Sequence, residues 1–554
     1  MRIARRSLLS AAALAPALTC STAWARGLSN GAFTHGVASG DPLTDGVIIW
    51  TRFVHGSDGR VGWEIAEDEA FANVAQRGEA VASFTSDFCV KVDARGLAPG
   101  RRYFYRFLSG SGPSLTGRTR TAPGGAAERL TVALFSCSNF PFGYFHAYGH
   151  AAEREDIDLA LHVGDYIYEY ARGSYPAAAE TVAGRVIDPM GEIIRLGDYY
   201  QRYATYHTDP DLQELRRLKP MATAWDDHEL TNDTWREGAQ NHQPETEGAF
   251  VDRIAAASKA YFDWMPIRRP EQRGARLYRS LDWGDLARIV LLDTRFFGRD
   301  EKLDYRTSLA PQLAQGGAEA QAAVAEFRRA LLDNPSRTLL GAAQETWFAE
   351  ALAGSKSRGQ PWQIVAQQVV MGEQFIPQGL SNLLPDDSSA GTRQWIAAGE
   401  QICALGLPWN LDSWGGYPAA RARFLAACAA NANNAVVLGG DSHNCWVNNL
   451  AAAASGRLAA IEFAGGSVTS PGFERSLSRA APGEREHLLH SANSALAWCD
   501  ATHRGYATLS FTRGACAAEW VAFQSVVSPE AGTPTVTRLN ASASATGGPG
   551  AWSF

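Results

Sequence analysis

Residues 159–170 read Leu-Ala-Leu-His-Val-Gly-Asp-Tyr-Ile-Tyr-Glu-Tyr. The apolar run at the start has the length of a buried strand. It breaks at Gly164-Asp165. Gly164 permits a tight exit and leaves Asp165 projecting from the strand's carboxyl end. That edge is where open α/β sheets bind ligands. Tyr168 follows three residues later. Taken alone, Asp165 reads as a helix cap and Tyr168 as a packed aromatic. Together, just past a strand, a carboxylate and a phenol are also two parts of a metal site.

Three further strands end the same way. Leu130–Phe135 runs into Ser136-Cys137-Ser138-Asn139, Ala222–Trp225 into Asp226-Asp227-His228-Glu229, and Ala435–Gly439 into Gly440-Asp441-Ser442-His443. Strands Arg288–Asp293 and Gln363–Val370 and helices near 145–154, 248–262, 344–353 and 418–431 alternate with them, which predicts an α/β domain over 130–526. If the four strand ends share one sheet edge, their side chains can meet. A thiolate, a phenolate, a carboxylate and an imidazole together favour a highly charged ion such as Fe3+. The oxygens of Asp227 and Asp441 suit Ca2+ or Mg2+. Asp165 can bridge two ions, and Asp226 is either a further donor or a cap. Such a site suits phosphoryl hydrolysis. His228 would then stabilise or protonate the leaving oxygen, and Arg268 or Arg295 would clamp phosphate oxygens in bidentate fashion. Arg295 could instead pair with Asp293 or Glu229. His162 and His35 read as core or structural residues, and either Gln367 or Gln368 could face the site.

The flanks have a different texture. From 27 to 123 the pattern is all β, with short alternating strands and the turn Gly96-Leu97-Ala98-Pro99-Gly100, resembling a fibronectin type III or immunoglobulin-like sandwich. Thr121–Gly125 reads as a linker. Residues 504–523 read as two paired strands. The Ser/Ala/Gly-rich tail 527–554 reads as poorly ordered.

The chain has 554 residues, too many for one ordinary domain. Its formal net charge of −7 argues against a nucleic-acid-binding surface. Arg5-Arg6-Ser7-Leu8-Leu9, an Ala/Leu run and Ala23-Trp24-Ala25 form a twin-arginine signal peptide over 1–25. The apolar run is too short to span a membrane. The expected destination is the periplasm or exterior, with the twin-arginine translocase as the export partner and no stable membrane anchor. Seven cysteines remain after cleavage. Proximity in sequence suggests the pairs Cys499–Cys516 and Cys403–Cys428 in an oxidising compartment.

The ordered set Ser136-Cys137, Gly164–Glu169, Trp225–Glu229, Leu292–Arg295 and Gly440–His443, with Val37–Pro42 and Ile49–Arg52 before it, resembles the PhoD family of alkaline phosphatases and phosphodiesterases. That resemblance implies a calcineurin-like four-layer αββα metallophosphoesterase core behind a fibronectin-like domain. It implies Fe3+ on Cys137, Asp165, Tyr168 and His443, and Ca2+ on Asp165, Asp227, Asp441 and Asn232. The implied reaction is hydrolysis of small phosphate monoesters or diesters by iron-bound hydroxide. A phospholipase D-like or nucleotide phosphodiesterase activity would use the same centre, with specificity in loops 173–188 and 372–389. The rival of another class is a non-catalytic adhesion protein with a decayed core.

Overall fold

The computed structural model describes residues 28–269, 276–313, 317–453, 455–544 and 547–554; the signal segment 1–25 lies outside them. The chain first lays down β1 (Ala32–Gly40), β2 (Gly46–Val54), β3 (Gly59–Ala66), β4 (Val74–Ala82), β5 (Cys89–Arg95), β6 (Arg102–Ser109), β7 (Gly112–Pro113) and β8 (Gly117–Arg120). β4, β3, β6 and β7 form one sheet, with β8 paired to β6. Apolar residues of this sheet, such as Val61, Ile65 and Phe107, share a core with Val37, Ile49 and Val90 of β1, β2 and β5. This is the all-β region expected at the amino terminus.

The next strands are β9 (Leu130–Phe135), β10 (Leu159–His162) and β11 (Met221–Thr223), then the short hairpin β12 (Thr234–Trp235) and β13 (Gly238–Ala239). A second series follows: β14 (Arg279–Trp283), β15 (Ala287–Leu291), β16 (Trp362–Ala366), β17 (Asn434–Gly439), β18 (Cys445–Ala451), β19 (Leu458–Ala464) and β20 (Leu496–Asp500). The chain closes with β21 (Arg504–Phe511), β22 (Ala515–Phe523) and β23 (Thr535–Ser542).

Two large sheets result, ordered β23-β22-β21-β9-β10-β11-β1-β2-β5 and β14-β15-β16-β17-β19-β18-β20. β9, β10, β11 and β1 are parallel, as are β15, β16, β17 and β19. The period-2 alternation of strands shows how they pack. Ile289, Leu291, Ile364, Ala366, Val436 and Leu438 join Val132, Leu134 and Leu161 in the core between the sheets. Their neighbours Val290, Val365 and Val437 face outward and are covered by helices Ala342–Ser357 and Pro418–Asn431. Helices His146–Glu153, Leu196–Tyr206 and Phe250–Trp264 contribute to the core on the other flank. The architecture is the αββα sandwich.

Three expectations change. The linker at 121–125 separates two sequence textures but not two sheets, because β1 pairs with β11 at Gly40 and Met221. Gly40 makes that approach possible: a Cβ there would lie 2.6 Å from the Met221 carbonyl oxygen. The tail contains an ordered strand, since β23 pairs with β22 from Thr535–Ala522 to Ser542–Ala515 and buries Leu539 and Ala541. Neither suggested disulfide forms, and the seven described cysteines are free thiols. Cys499 lies on β20 and Cys516 on β22, in different sheets. Cys403 instead accepts the Ile376 N–H at 3.1 Å.

Candidate metal centre

The four polar strand ends converge, though not from one sheet. β9, β10 and β11 deliver Cys137, Asp165 and Asp227 from the nine-stranded sheet, while β17 delivers Asp441 and His443 from the facing one. The centre therefore lies between the two sheets. Cys137, Asp165, Asp441 and His443 have φ of 57°, 55°, 62° and 61°. Left-handed backbone at non-glycine residues is costly and concentrates at functional sites. Tyr168 sits in a loop, not on a helix.

Cys137, Asp165 and His443 can each offer a donor atom within 4.8 Å of the others. The Tyr168 hydroxyl is 3.1 Å from Asp165 Oδ2, 3.4 Å from His443 Nε2 and 2.7 Å from the Ser470 hydroxyl. His443 Nδ1 donates to the Pro471 carbonyl at 3.0 Å, so Nε2 keeps its lone pair toward the cluster. Burial pushes the Cys137 thiol and the Tyr168 phenol up, and the nearby Asp165 carboxylate adds to both shifts. Burial lowers His443 to about 3.

The second half of the site is a carboxylate cluster. Asp226, Asp227 and Asp441 form one group of close donors, and Asp165, Asp227 and His228 another. Arg295 is fully buried among them. It pairs with Asp226, with Asp412 at 2.7 Å, with Asp441 at 3.1 Å and with Asp227 at 3.5 Å. Arg299 also holds Asp412. Two guanidinium groups thus face four carboxylates. Burial, with repulsion from neighbouring acids, pushes Asp441 and Asp165 well above the usual carboxylate range and Asp226 to about 6. Asp165 Oδ1 and Asp226 Oδ2 are buried without a hydrogen-bond partner. Buried polar oxygens in folded proteins are nearly always satisfied. An excess of buried negative charge with two orphaned oxygens is the chemistry a cation completes, so the residues fit metal ions.

His228 stands beside this cluster. Its Nδ1 is 2.7 Å from Glu169 Oε2, and its ring stacks on Tyr168 at 4.3 Å between centroids. Burial would lower its pKa, but Glu169, Asp165 and Asp227 outweigh burial and raise it well above the ordinary value. Glu169 is fully buried and also accepts from Asn232 N–H, Asn241 and Thr231. Burial opposes its ionisation, yet the His228 charge and these donors hold it at about 2. Glu229 ties two strand ends together, accepting N–H bonds from Asp165, Tyr166 and Asp226 at 3.0, 2.7 and 2.8 Å.

The remaining sequence candidates fall elsewhere. The Arg268 guanidinium is held by Asp93 at 2.8 Å and by the Asp41 carbonyl, so the structure does not bring it to the cluster. Arg295 is there, but its guanidinium is taken by carboxylates rather than by Asp293 or Glu229 side chains. Asn232 directs its side-chain N–H to Gln240 at 3.0 Å. β16 ends at Ala366; beyond it Gln368 bonds Thr294 and the Leu292 carbonyl, and Gln367 bonds Trp414 and Val369. His162 accepts the Gly164 N–H and meets the Tyr148 hydroxyl, inside the core. Sequence reasoning missed Asp412, Glu169 and Ser470. Glu169 follows Tyr168 directly, and its place beside the DDHE stretch in the ordered set was the available signal; Asp412 sits in an irregular loop and carries none.

The sequence profile of the PhoD-like phosphatase family matches residues 132–520, and that of its N-terminal domain matches residues 19–123. The chain belongs to the PhoD-like phosphatase family. Alkaline phosphatase D of Bacillus subtilis is 34% identical over 458 residues, covering 79% of this chain and 70% of that protein. A solved PhoD structure superposes with a TM-score of 0.74 at 30% identity, covering 93% of this chain and 91% of the other. A purple acid phosphatase from yellow lupin seeds shares the fold at a TM-score of 0.50 and 13% identity, covering 92% of this chain and 74% of the other. This PhoD-like phosphatase is therefore an enzyme acting on phosphate esters, and its metallophosphoesterase fold surrounds donors suited to metal ions.

Proposed function

We propose that this PhoD-like phosphatase is an exported hydrolase of phosphomonoesters, phosphodiesters or both, working at a mixed centre of Fe3+ and Ca2+. The observation that carries the reading is the meeting of a thiol, a phenol, a carboxylate and an imidazole at Asp165, whose Oδ1 is buried without a hydrogen-bond partner. Cys137, Asp165, Tyr168 and His443 would hold Fe3+, since anionic donors of this kind neutralise a highly charged ion. Asp165, Asp227 and Asp441, with the Asn232 carbonyl oxygen, would hold Ca2+ through hard oxygen ligands. Bound there, such ions supply charge neutralisation at the phosphoryl group and a water acidic enough to act near neutral pH.

The chain's own residues do the rest. Glu169 holds His228 protonated at Nδ1 and fixes the ring against Tyr168, leaving Nε2 to protonate or stabilise the leaving oxygen. Arg295 acts as a positioning residue, fixing Asp226, Asp227 and Asp441 at separations their mutual repulsion would otherwise widen. Glu229 keeps the exits of β10 and β11 in register.

The test is turnover of p-nitrophenyl phosphate and its bis-ester by Asp165→Ala and Cys137→Ala. Losing a direct ligand should cost more than the roughly 10- to 100-fold typical of an outer-shell partner. Undiminished turnover refutes the reading. Metal analysis of the parent should find iron and calcium, and Tyr168→Phe should abolish or shift its visible tyrosinate absorption. A colourless, iron-free and fully active protein contradicts the iron assignment. Export is inferred from Arg5-Arg6-Ser7-Leu8-Leu9. Among the described residues no helix is long and apolar enough to cross a membrane. Lysine at both arginines should hold the enzyme in the cytoplasm if the twin-arginine translocase carries it.

A further inference from the structure

Solvent-side of the buried His228–Tyr168 stack lie two half-buried tyrosines, Tyr170 and Tyr175. Tyr170 is 5.4 Å from the His228 ring. Tyr175 is 6.1 Å from Tyr168 and meets Tyr170 edge-on at 5.4 Å. Phe142 packs edge-on against Tyr175 at 4.9 Å, and Arg475, paired with Glu180, lies over Phe142. The phosphoryl chemistry described above uses neither residue. What they offer is a firmly backed aromatic surface beside the group that faces the leaving oxygen.

We propose that Tyr170 and Tyr175 form a shelf that binds a planar ring carried by the leaving alcohol of the substrate, making them specificity residues for aryl or nucleoside phosphate esters. This rests on the phosphate-ester reading above. A ring leaving with its oxygen toward His228 would meet the aromatic faces rather than water. Stacking of this kind is sequence-tolerant and strong, because every planar ring has a π-face. A ring attached directly to the ester oxygen would meet Tyr170 first, whereas a nucleobase one sugar away would reach toward Tyr175.

The experiment compares kcat/KM for p-nitrophenyl phosphate, a nucleoside 5′-monophosphate and glycerol 3-phosphate in the metal-loaded enzyme and in Tyr170→Leu and Tyr175→Leu. Leucine keeps apolar volume without a planar face. The readout is each ring-bearing ester's rate relative to glycerol phosphate. Loss of a stacking partner should lower that ratio at least fivefold for one ring class or both, chiefly through KM. Tyr175→Phe should keep the Tyr175-dependent ratio near the parent's. The inhibition constant of inorganic phosphate monitors the integrity of the centre. Ratios that stay within fivefold of the parent in both leucine variants overturn the shelf and leave the phosphatase intact. A parent enzyme that turns over neither these three monoesters nor bis(p-nitrophenyl) phosphate overturns the phosphate-ester reading and the shelf with it.

Discussion

Gly164 is the residue whose replacement should separate fold from function most cleanly. Its φ is 110°, a conformation that side chains strongly disfavour. A Cβ added there would lie 2.8 Å from Asp226 Cα and nearer still to that residue's N and Cβ, whereas ordinary contact begins at 3.4 Å. In Gly164→Ala the exits of β10 and β11 must therefore move apart by at least 0.6 Å, and by about 1 Å at the closest atoms. Asp165 follows one exit, and Asp226 and Asp227 follow the other. A displacement near 1 Å can cost roughly a hundredfold in rate, while the backbone strain alone costs about 1–3 kcal/mol. Gly173→Ala serves as control: its φ is 81°, yet a Cβ there meets nothing nearer than Ala178 at 3.8 Å. The assay is kcat/KM on p-nitrophenyl phosphate beside thermal unfolding and metal content. The expectation is that both variants lose stability and that only Gly164→Ala loses about two orders of magnitude in activity. A folded Gly164→Ala protein with parental rate and metal content would refute the claim that the spacing of the two exits sets the centre.

Two other outcomes follow from contacts remote from the centre. Burial would raise the Asp500 carboxyl, but bonds from His503 and the backbone hold it at about 2, while His503 itself is raised. A folded value below the unfolded ~3.9 means that Asp500 stabilises above pH 4 and loses this as pH falls from 4 toward 2, a contribution of about 2 kcal/mol. His503→Ala should reduce that acid-side slope in stability measured by denaturant titration; an unchanged slope rejects the pairing. The amino-terminal strands should not separate as a domain. Trp50 of β2 is buried in the main core and donates to the Asp263 carbonyl at 2.8 Å, and β1 pairs with β11. A fragment starting at 124 should be inactive and unstable, and a stable, active one would show the sheet to be divisible.

Much of this was legible in the sequence because strand ends leave local marks. An apolar run closed by Gly-Asp or followed by Cys, Asp-His or Ser-His needs only neighbouring residues to be read, and all four donor clusters were found that way. The near-continuous apolar runs of β15, β16 and β17 likewise foretell two buried faces, hence a layered α/β core. Residues whose role comes from a distant partner left no such mark. Arg268 has the look of a phosphate clamp until Asp93, far earlier in the chain, occupies it. Asp412 lies in an irregular loop, and only Arg295 and Arg299 make it part of the site. β23 has a composition that suggests disorder, yet an open edge of β22 supplies its hydrogen-bond partners.

The sequence by itself determined which side chains can serve the centre, because donor chemistry is a property of residue type and its position at a strand end. Tertiary structure decided where the centre is. The loop after β17 comes from the sheet opposite β9, β10 and β11, so the donor side chains meet between layers rather than along one edge. Tertiary structure also decided that LALHVGDYIYEY ends in a left-handed turn at Asp165 instead of a helix cap. Which groups face one another across a fold depends on sheet packing and on charge balance summed over the whole neighbourhood. Neither is written in any short stretch of chain.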